Sequence, residues 1–272
     1  MFCLVDGNNF YVSCERVFNP SFHNKPVVVL SNNDGCVVSR SNEAKAIGIK
    51  MGQPYFKCKQ VLTYHNAIVC SSNYTLYADI STRIVDILKT FTPDVEVYSI
   101  DESFLYFSGN MKAITQLGLS IKQSIFKKTG IPVGVGFGKS KTLAKIANHM
   151  AKKITTGVVN IHDYDENKVL KTISSNQLWG VGNGFSTRLR QKNIHNALQI
   201  KKTTLKLLKA CCHVHGERLK LELMGISAIP LKLTPDPNKS ILSSKSFGKK
   251  INNIDQLKGA LAQNIARAAE KL

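Results

Sequence analysis

The chain has 272 residues, which is enough for two domains, and 43% of them are hydrophobic, which allows a sizeable buried core. Lysine and arginine number 37 against 18 aspartates and glutamates, and the net charge of +19 indicates an anionic partner or a generic basic protein of the ribosomal kind. No apolar run is long enough to span a membrane, and the first ten residues lack the basic start of a signal peptide. The seven cysteines include no C-x-x-C pair, so they fit a reducing cytosol better than a disulfide framework, and we expect a cytoplasmic protein.

The first 162 residues alternate between strand-like and helix-like patterns. Residues 1–5 and 26–31 are short apolar runs typical of strands, and residues 74–91 carry apolar side chains at helical spacing. The other predicted elements are a strand passing into a short helix over 36–52, a strand hairpin over 95–107, a helix around 111–129, a strand within 131–140, a helix over 141–153 and a strand over 157–161. Because strands and helices alternate, we expect an α+β or α/β core.

The composition changes after about residue 165. From there to residue 226 the pattern predicts short helices joined by polar turns. Residues 229–240 contain three prolines and are typical of a linker. A strand is predicted over 241–251, followed by a helix from residue 254 to the last residue.

Two adjacent carboxylates interrupt the apolar stretch "VYSIDESFLYF" (97–107). Its apolar residues favour a half-buried strand, whereas a buried, unpaired carboxylate costs several kcal/mol, so Asp101 and Glu102 need a compensating partner. At a hairpin tip both side chains can turn toward one point, and Asp6, at the end of the first strand, is placed to join them. Such oxygen ligands suit Mg²⁺, and two ions held by them can clamp the attacking and leaving oxygens of a phosphoryl displacement.

The same carboxylates admit other interpretations. Asp101 and Glu102 taken alone also fit a surface hairpin with two solvated acids. The spacing does not separate a polymerase, a nuclease and a nucleotide cyclase, because each of these enzymes uses acidic groups to hold divalent ions.

Two further motifs are rejected on their spacing. The stretch "GVGFGKSK" follows a predicted strand and opens a predicted helix, but Val133 stands where a P-loop needs glycine. Its glycines more simply allow the strand and the helix to pack closely. The run "CCHVH" (211–215) lacks the ligand spacing of a zinc site.

The stretch "LWGVGNGFSTRLRQKNI" (178–194) has the form of a helix–hairpin–helix. A glycine turn at a helix start exposes backbone N–H groups, which suits a DNA phosphate. A glycine-rich turn between helices is common, so this signal is weak without further context.

Several of these stretches together carry a specific resemblance. They are "LVDGNNFYVSCE", "VVVLSNNDGCVVSRSNEAKAIGIKMG", "SSNYTLYADIS", "YSIDESF" and "VGVGFGKSKTLAKIANHMAK". They resemble the bacterial Y-family translesion DNA polymerases, in particular the UmuC type, and the likeness covers essentially the whole chain. The resemblance implies an α+β right-hand fold with a ferredoxin-like palm, small fingers, a helix–hairpin–helix thumb and a partial little finger.

The resemblance also implies domain boundaries. The palm would take residues 1–18 and 73–162, the fingers 19–72, the thumb 163–230, the linker 231–240 and the little finger 241–272. Little fingers of the family are larger than this last segment, so we expect a truncated domain with a weaker grip on DNA.

The resemblance assigns roles to the acidic residues and to one tyrosine. Asp6, Asp101 and Glu102 match the family's catalytic carboxylates, which hold two Mg²⁺ ions, and the carbonyl of Gly7 would add a metal ligand. Tyr11 stands where the family places a bulky ring against the ribose 2′-OH of the incoming nucleotide.

Other positions match the family's contacts to the nucleotide triphosphate. Lys45 stands where the family has an arginine, and Asn42 where a tyrosine is frequent. Arg40 lies close by and can share the task, and Lys152 matches the lysine that reaches the triphosphate from the palm. A lysine is a point charge rather than a bidentate fork, so Lys45 is a departure from the pattern. The expected DNA contacts are Gly180, Gly182, Arg188, Arg190 and Lys245.

The implied function is low-fidelity, template-directed DNA synthesis past lesions, as in SOS mutagenesis. The implied partners are primer–template DNA, dNTP, UmuD′, RecA and the sliding clamp, whose binding motif is not in this chain, and the implied location is cytoplasmic and nucleoid-associated. The alternatives are a truncated, catalytically weak DNA-binding fragment of such a polymerase and a nucleotide cyclase-like palm enzyme.

Overall fold

The computed structural model describes residues 1–109, 113–234, 237, 239–245, 247 and 250–271. The chain divides into two compact units. The first unit consists of Met1–Lys25 and Asn73–Leu233, and the second of Pro26–Ser72 and Thr234–Leu272.

The bounds of the regular elements are as follows. The strands are β1 (Phe2–Gly7), β2 (Val27–Leu30), β3 (Val37–Arg40), β4 (Ile68–Ser71), β5 (Val95–Val97), β6 (Glu102–Tyr106), β7 (Val133–Gly138) and β8 (Val158–Asn160). The α-helices are α1 (Phe10–Phe18), α2 (Asn42–Ala46), α3 (Tyr55–Tyr64), α4 (Tyr74–Lys89), α5 (Ile114–Thr129), α6 (Lys141–Ala151), α7 (Glu166–Thr172), α8 (Asn183–Arg190), α9 (Ala197–Lys202), α10 (Leu205–Leu223) and α11 (Ile254–Ala269). The part of the predicted helix at residues 111 and 112 lies outside the described residues.

A five-stranded sheet forms the centre of the first unit, with the strand order β5-β6-β1-β7-β8. All pairs are antiparallel except β7 with β8. The central strand β1 is buried along its whole length, which explains why its sequence is apolar up to Asp6. The predicted hairpin over 95–107 is confirmed as β5 and β6, with Val97 opposite Ser103.

Helices cover both faces of this sheet, and glycines set how closely they approach. A Cβ on Gly136 would lie 2.1 Å from the backbone N of Asn148, and one on Gly138 would lie 2.6 Å from the backbone N of Ala144. These contacts put α6 directly on the backbone of β7. On the other face, Gly118 of α5 packs against Phe137. The interpretation of the glycines in "GVGFGKSK" as packing residues is therefore confirmed.

The helices that follow the sheet share their own hydrophobic core. It contains Leu170, Leu189, Ile200, Leu208, Cys211, Cys212 and Leu223, together with residues of α6. The "CCHVH" run lies within α10, where both cysteines are buried and His213 has a positive φ of 53° that kinks the helix. Nothing in the sequence of this run predicts the kink.

Two buried carboxylates fasten the segment after α10 onto the sheet and α6. The Glu222 side chain accepts hydrogen bonds from the backbone N–H groups of Thr142, Ala228 and Ile229, at 2.9, 2.8 and 3.1 Å. The Glu96 carboxylate pairs with the buried Lys141 ammonium and also accepts a bond from the Lys232 backbone. Both carboxylates are therefore compensated by fixed donors.

We predict that Glu222→Ala lowers the free energy of unfolding by about 3 kcal/mol, because one buried and two partly buried N–H groups lose their acceptor. Glu217→Ala is the matched control on the same helix, since the Glu217 side chain is one-third exposed and its pair with Lys209 is worth at most about 1 kcal/mol. Urea unfolding of the two variants checks this. Equal losses would show that the Glu222 contacts do not stabilise the fold.

The second unit contains a three-stranded sheet with the order β3-β2-β4. β2 pairs with β3 in antiparallel and with β4 in parallel orientation. Val28, Leu30, Val37 and Leu62 form its core. The Ser41 hydroxyl accepts hydrogen bonds from the N–H groups of Ala44 and Val27, which starts α2 where β3 ends.

The predicted strand over 241–251 is wrong for those of its residues that the structure describes, because none of them is in a strand. A strand needs a neighbour that accepts its backbone hydrogen bonds, and the described part of 241–251 pairs with no strand. The following helix is confirmed as α11, although it ends at Ala269 and does not run to the end of the described residues, and its apolar residues Leu257, Leu261 and Ile265 are exposed. Across the described residues, no helix is both long enough and apolar enough to cross a membrane.

Candidate active site

Three carboxylates meet at one end of the inner strands β1 and β6 of the five-stranded sheet. β1 and β6 pair so that Asp6 lies opposite Glu102, and the Gly7 N–H donates to the Asp101 carbonyl at 2.9 Å. Asp6, which is far from the adjacent Asp101 and Glu102 in the sequence, is thus brought to them by a single strand pairing.

The turn between β5 and β6 orients Asp101. The Ser99 hydroxyl donates to Asp101 Oδ1 at 2.7 Å and accepts from the Glu102 N–H at 3.1 Å. The N–H groups of Tyr98 and Ser99 both donate to the Glu102 carbonyl. This tight turn releases Asp101 from the alternation of a regular strand, as predicted for a hairpin tip.

The surroundings of Asp6 raise the pKa of its carboxyl group. Burial raises the pKa of its carboxyl to about 6, the Lys152 ammonium lowers it, and the charges of Glu102 and Asp101 raise it further. A carboxyl whose ionisation is opposed by burial and by neighbouring anions is one whose charged form a cation would stabilise.

Two lysines at the α6 end of the site compensate the carboxylates. Lys152, which caps α6, donates to Asp6 Oδ2 at 2.6 Å. Lys145 lies 2.9 Å from both oxygens of Glu102. The two lysines are seven residues apart, which is two helical turns, so both face the same edge of the sheet. Lys152 was predicted to lie at this site, whereas Lys145 was missed, although its spacing from Lys152 is a signal that the sequence contains.

The site fits divalent cations in its donor set and its charge. Asp6, Asp101, Glu102 and the Gly7 carbonyl offer only oxygen atoms, as Mg²⁺ prefers. Within the part of the chain that the structure describes, no three carboxylate, imidazole or thiol groups already stand at metal-binding spacing. Lysines hold two of the carboxylates, so a cation that used these oxygens would have to displace at least one of the ammonium groups.

A cavity of about 230 Å³ opens beside the carboxylates. Asp6 and Glu102 line it from the sheet, Lys145 and Lys152 from α6, and Trp179 from the segment that precedes α8. Trp179 was not singled out by the sequence, because its contacts here are with residues distant in the chain.

Tyr11 lies in the first turn of α1 and is supported by two other tyrosines. Its ring stacks on Tyr77 with centroids 4.3 Å apart and meets the edge of Tyr74 at 5.9 Å. Tyr77 is fully buried, and its hydroxyl donates to Glu15 at 2.7 Å. Just before the helix, a Cβ on Gly7 would lie 2.8 Å from the Phe10 ring, so glycine is needed there. The sequence identified Tyr11 but not the residues that fix its ring.

The predicted triphosphate contacts of the second unit lie within six residues of each other. Lys45 and Asn42 are on α2, and the Lys45 ammonium donates to Asn42 Oδ1 at 3.3 Å. Arg40 ends β3, and its buried Nε and Nη1 atoms have no hydrogen-bond partner among the described residues. The roles of these three residues stay predictions.

The predicted DNA contacts lie in several settings. Gly180 has a φ of +79°, and the space around Cβ positions at Gly180 and Gly182 is open, so the turn before α8 is accessible. Arg188 donates from Nε to the Cys211 carbonyl at 2.6 Å and lies over the Phe185 ring, so part of its bonding capacity is used inside the protein. Arg190 and Lys245 are exposed.

Known structures match this fold, and known sequences match this chain. The structure superposes on the Y-family DNA polymerase chimera Dbh-Dpo4(243-245)-Dbh with a TM-score of 0.85 and 25% identity, covering 100% of this chain and 80% of the other. It superposes on an insertion ternary complex of Dbh DNA polymerase with a TM-score of 0.72 and 26% identity, with the same coverage. The fold is therefore that of the Y-family DNA polymerases, which confirms the predicted fold class.

Sequence comparison narrows the class to a family. The model of the impB/mucB/samB family matches residues 5–149, more than half of the chain, and the chain belongs to that family. It is 41% identical over 278 residues to the protein UmuC of Salmonella typhimurium, covering 100% of this chain and 66% of UmuC. It is 33% identical over 199 residues to DNA polymerase IV of Saccharolobus solfataricus, covering 70% of this chain and 55% of that relative. The chain thus spans just under two thirds of the UmuC relative.

We predict that Asp6→Asn stabilises the metal-free protein at neutral pH. The folded pKa of about 6 lies above the ordinary value of 3.8, so this carboxyl favours folding at pH values below about 4, and that contribution is lost as the pH rises through about 6. The variant should therefore be more stable than the wild type by about 1–3 kcal/mol above pH 7 and no more stable at pH 4.

Urea unfolding at the two pH values, in the presence of a chelator, measures the difference. Asp79→Asn is the control, because it removes an exposed carboxylate paired only with Arg83 on the same helix. Added Mg²⁺ should raise the unfolding temperature of the wild type and leave that of Asp6→Asn unchanged. A variant less stable than the wild type at neutral pH would show that the Lys152 pair outweighs the burial of the charge.

Proposed function

We propose that the chain carries out template-directed DNA synthesis past lesions, transferring nucleotides from dNTP to a primer 3′-OH as in SOS mutagenesis. The observation that carries the proposal is the strand register of β1 and β6, which places Asp6 opposite Glu102 and beside Asp101 at one end of these two strands. Membership of the impB/mucB/samB family supports a polymerase over the nuclease and cyclase alternatives.

Asp6, Asp101, Glu102 and the Gly7 carbonyl would hold two Mg²⁺ ions. When bound, such ions supply charge neutralisation for the attacking and leaving oxygens of an in-line phosphoryl displacement. The protein itself contributes the pairing of β1 with β6, which brings the carboxylate oxygens close together, and the hydrogen bond from Ser99 that orients Asp101. No side-chain nucleophile is required, because the primer hydroxyl is the attacking group.

The residues around the carboxylates would bind the nucleotide. Lys152 can exchange its bond to Asp6 for a triphosphate oxygen, since its side chain is 38% exposed. Lys45, Asn42 and Arg40 would add further contacts, and Arg40 offers donor atoms that have no acceptor among the described residues. The Tyr11 ring would pack under the sugar and exclude a ribose 2′-OH.

The helix–hairpin–helix stretch at residues 178–194 would hold duplex DNA. The space around Cβ positions at Gly180 and Gly182 is open, so this turn would offer its backbone N–H groups to DNA phosphates, and Arg188, Arg190 and Lys245 would add charge. With a net charge of +19, binding should weaken steeply as salt is added. UmuD′, RecA and the sliding clamp are the further partners that we propose for the assembly in which this chain acts.

A second candidate is a DNA-binding protein that synthesises little or no DNA. The observation that favours it is the pairing of Asp6 and Glu102 with lysines, which leaves fewer ligand oxygens available to cations. It predicts primer–template binding without extension.

Primer extension separates the two candidates. We predict that the wild type, with Mg²⁺ at low salt, extends primers on an undamaged template and past an abasic site, and that Asp101→Asn reduces extension by about 100-fold or more while binding primer–template normally. Asp94→Asn, which removes another carboxylate of the same sheet region, should extend like the wild type. Binding without extension by the wild type would favour the second candidate.

We also predict that Tyr77 controls sugar discrimination through Tyr11. Tyr11→Ala should increase the ratio of rNTP to dNTP incorporation by about 10-fold or more, and Tyr77→Leu should give a smaller increase because the Tyr11 ring loses its stacking partner. The ratio of kcat/KM values for the two nucleotides is the measurement, because a general loss of folded enzyme lowers both values equally. Tyr64→Ala, at an 83% exposed ring, is the control.

A further inference from the structure

We propose that Lys145 is a built-in counter-ion that holds Glu102 in the metal-free protein and that, when a divalent cation binds, it leaves Glu102 and is retained by an aromatic cage that it already contacts. The inference rests on the proposed function, because it concerns the same carboxylates. Lys145 is here a positioning residue for Glu102, and the cage consists of Tyr98, Phe104 and Trp179.

The first support is the geometry around the ammonium group. Lys145 Nζ lies 2.9 Å from each oxygen of Glu102. It also lies 4.6 Å from the centroid of the Tyr98 ring, 5.3 Å from that of Trp179 and 5.9 Å from that of Phe104. The ammonium therefore stands between an anion on one side and three ring faces on the other.

The second support is that the cage is assembled independently of the lysine. Trp179 Nε1 donates to the Tyr98 hydroxyl at 2.9 Å, and the three rings contact one another with centroids 5.5 to 5.8 Å apart. Trp179 also packs on the core cluster that contains Phe104. The rings therefore keep their places when the ammonium moves.

The exchange follows from charge. A divalent cation at Glu102 repels the ammonium and competes for the same two oxygens, so the lysine has to leave. Ring faces attract an ammonium without offering it an anion, so the cage can hold the released group near the site. The cavity beside Glu102 gives the side chain room to move.

Trp179 provides the readout, because it is the only tryptophan of the chain. Mg²⁺ titration of the wild type should produce a saturable change in Trp179 fluorescence, with the same midpoint as the rise in unfolding temperature. In Lys145→Met, the fluorescence change should be lost, and Mg²⁺ affinity measured from the unfolding temperature should rise about 10-fold, since both the competitor and its charge are gone.

Two further variants separate the proposal from a general effect of charge. Lys145→Arg keeps the charge but binds the carboxylate in a bidentate fork, so Mg²⁺ affinity should fall by about 3-fold relative to the wild type. Lys153→Met removes an exposed positive charge just after the C-terminal end of α6 and should change affinity by less than about 2-fold. Equal effects of Lys145→Met and Lys153→Met would overturn the proposal.

Failure of this inference is distinguishable from failure of the proposed function. If Mg²⁺ raises the unfolding temperature of the wild type but leaves Trp179 fluorescence unchanged, the carboxylates bind cations and the release of Lys145 is refuted. If Mg²⁺ affects neither quantity in the wild type or in Lys145→Met, the cation site itself is refuted, and the counter-ion role falls with it.

Discussion

The structure depends on one electrostatic constraint, the meeting of three carboxylates where β1 ends and β6 begins. Asp6 is buried there, and its neighbours Glu102 and Asp101 oppose its ionisation. The compensating charges come from α6, which must therefore lie close against the sheet. Glycines on β7 allow that approach, because a side chain at Gly136 would collide with the α6 backbone. The pairing of β1 with β6, the packing of α6 on β7 and the geometry of the site therefore depend on one another.

The chain contains two kinds of compensated carboxylate, and the difference is informative. Glu222 is held by three backbone N–H groups, which cannot leave without unfolding the segment that carries them. Asp6 and Glu102 are instead held by the ends of partly exposed lysine side chains. A lysine can change its rotamer at small cost, so Asp6 and Glu102 can exchange their lysine partner for another cation. Until they do so, the lysines neutralise their negative charge. Glu222, which stabilises the fold, therefore has fixed partners, whereas Asp6 and Glu102, at the candidate site, have movable ones.

The sequence predicted the parts of the site that depend on local pattern. Asp6 follows an apolar run, and Asp101 and Glu102 interrupt another, so their strands and their hairpin could be inferred before the structure. The partners of the carboxylates could not, because Lys145 is 43 residues from Glu102 and Trp179 is 81 residues from Tyr98. The predicted strand over 241–251 was wrong for a related reason, since a strand exists only where another strand pairs with it.

Close carboxylates destabilise the fold, but the proposed cation site needs them. Lysine partners meet both requirements, because they neutralise the carboxylates and can still be displaced. Amide side chains in place of the acids would remove the repulsion, but they would also remove the anionic ligands. Fixed backbone donors would keep the acids ionised, but they would not yield to a cation. Trp179 belongs to the segment leading into α8 and contacts both Lys145 and Tyr98, so the ion pair of Lys145 with Glu102 touches the start of the helical region. The aromatic cage therefore connects the acidic edge of the sheet to the segment proposed to grip DNA.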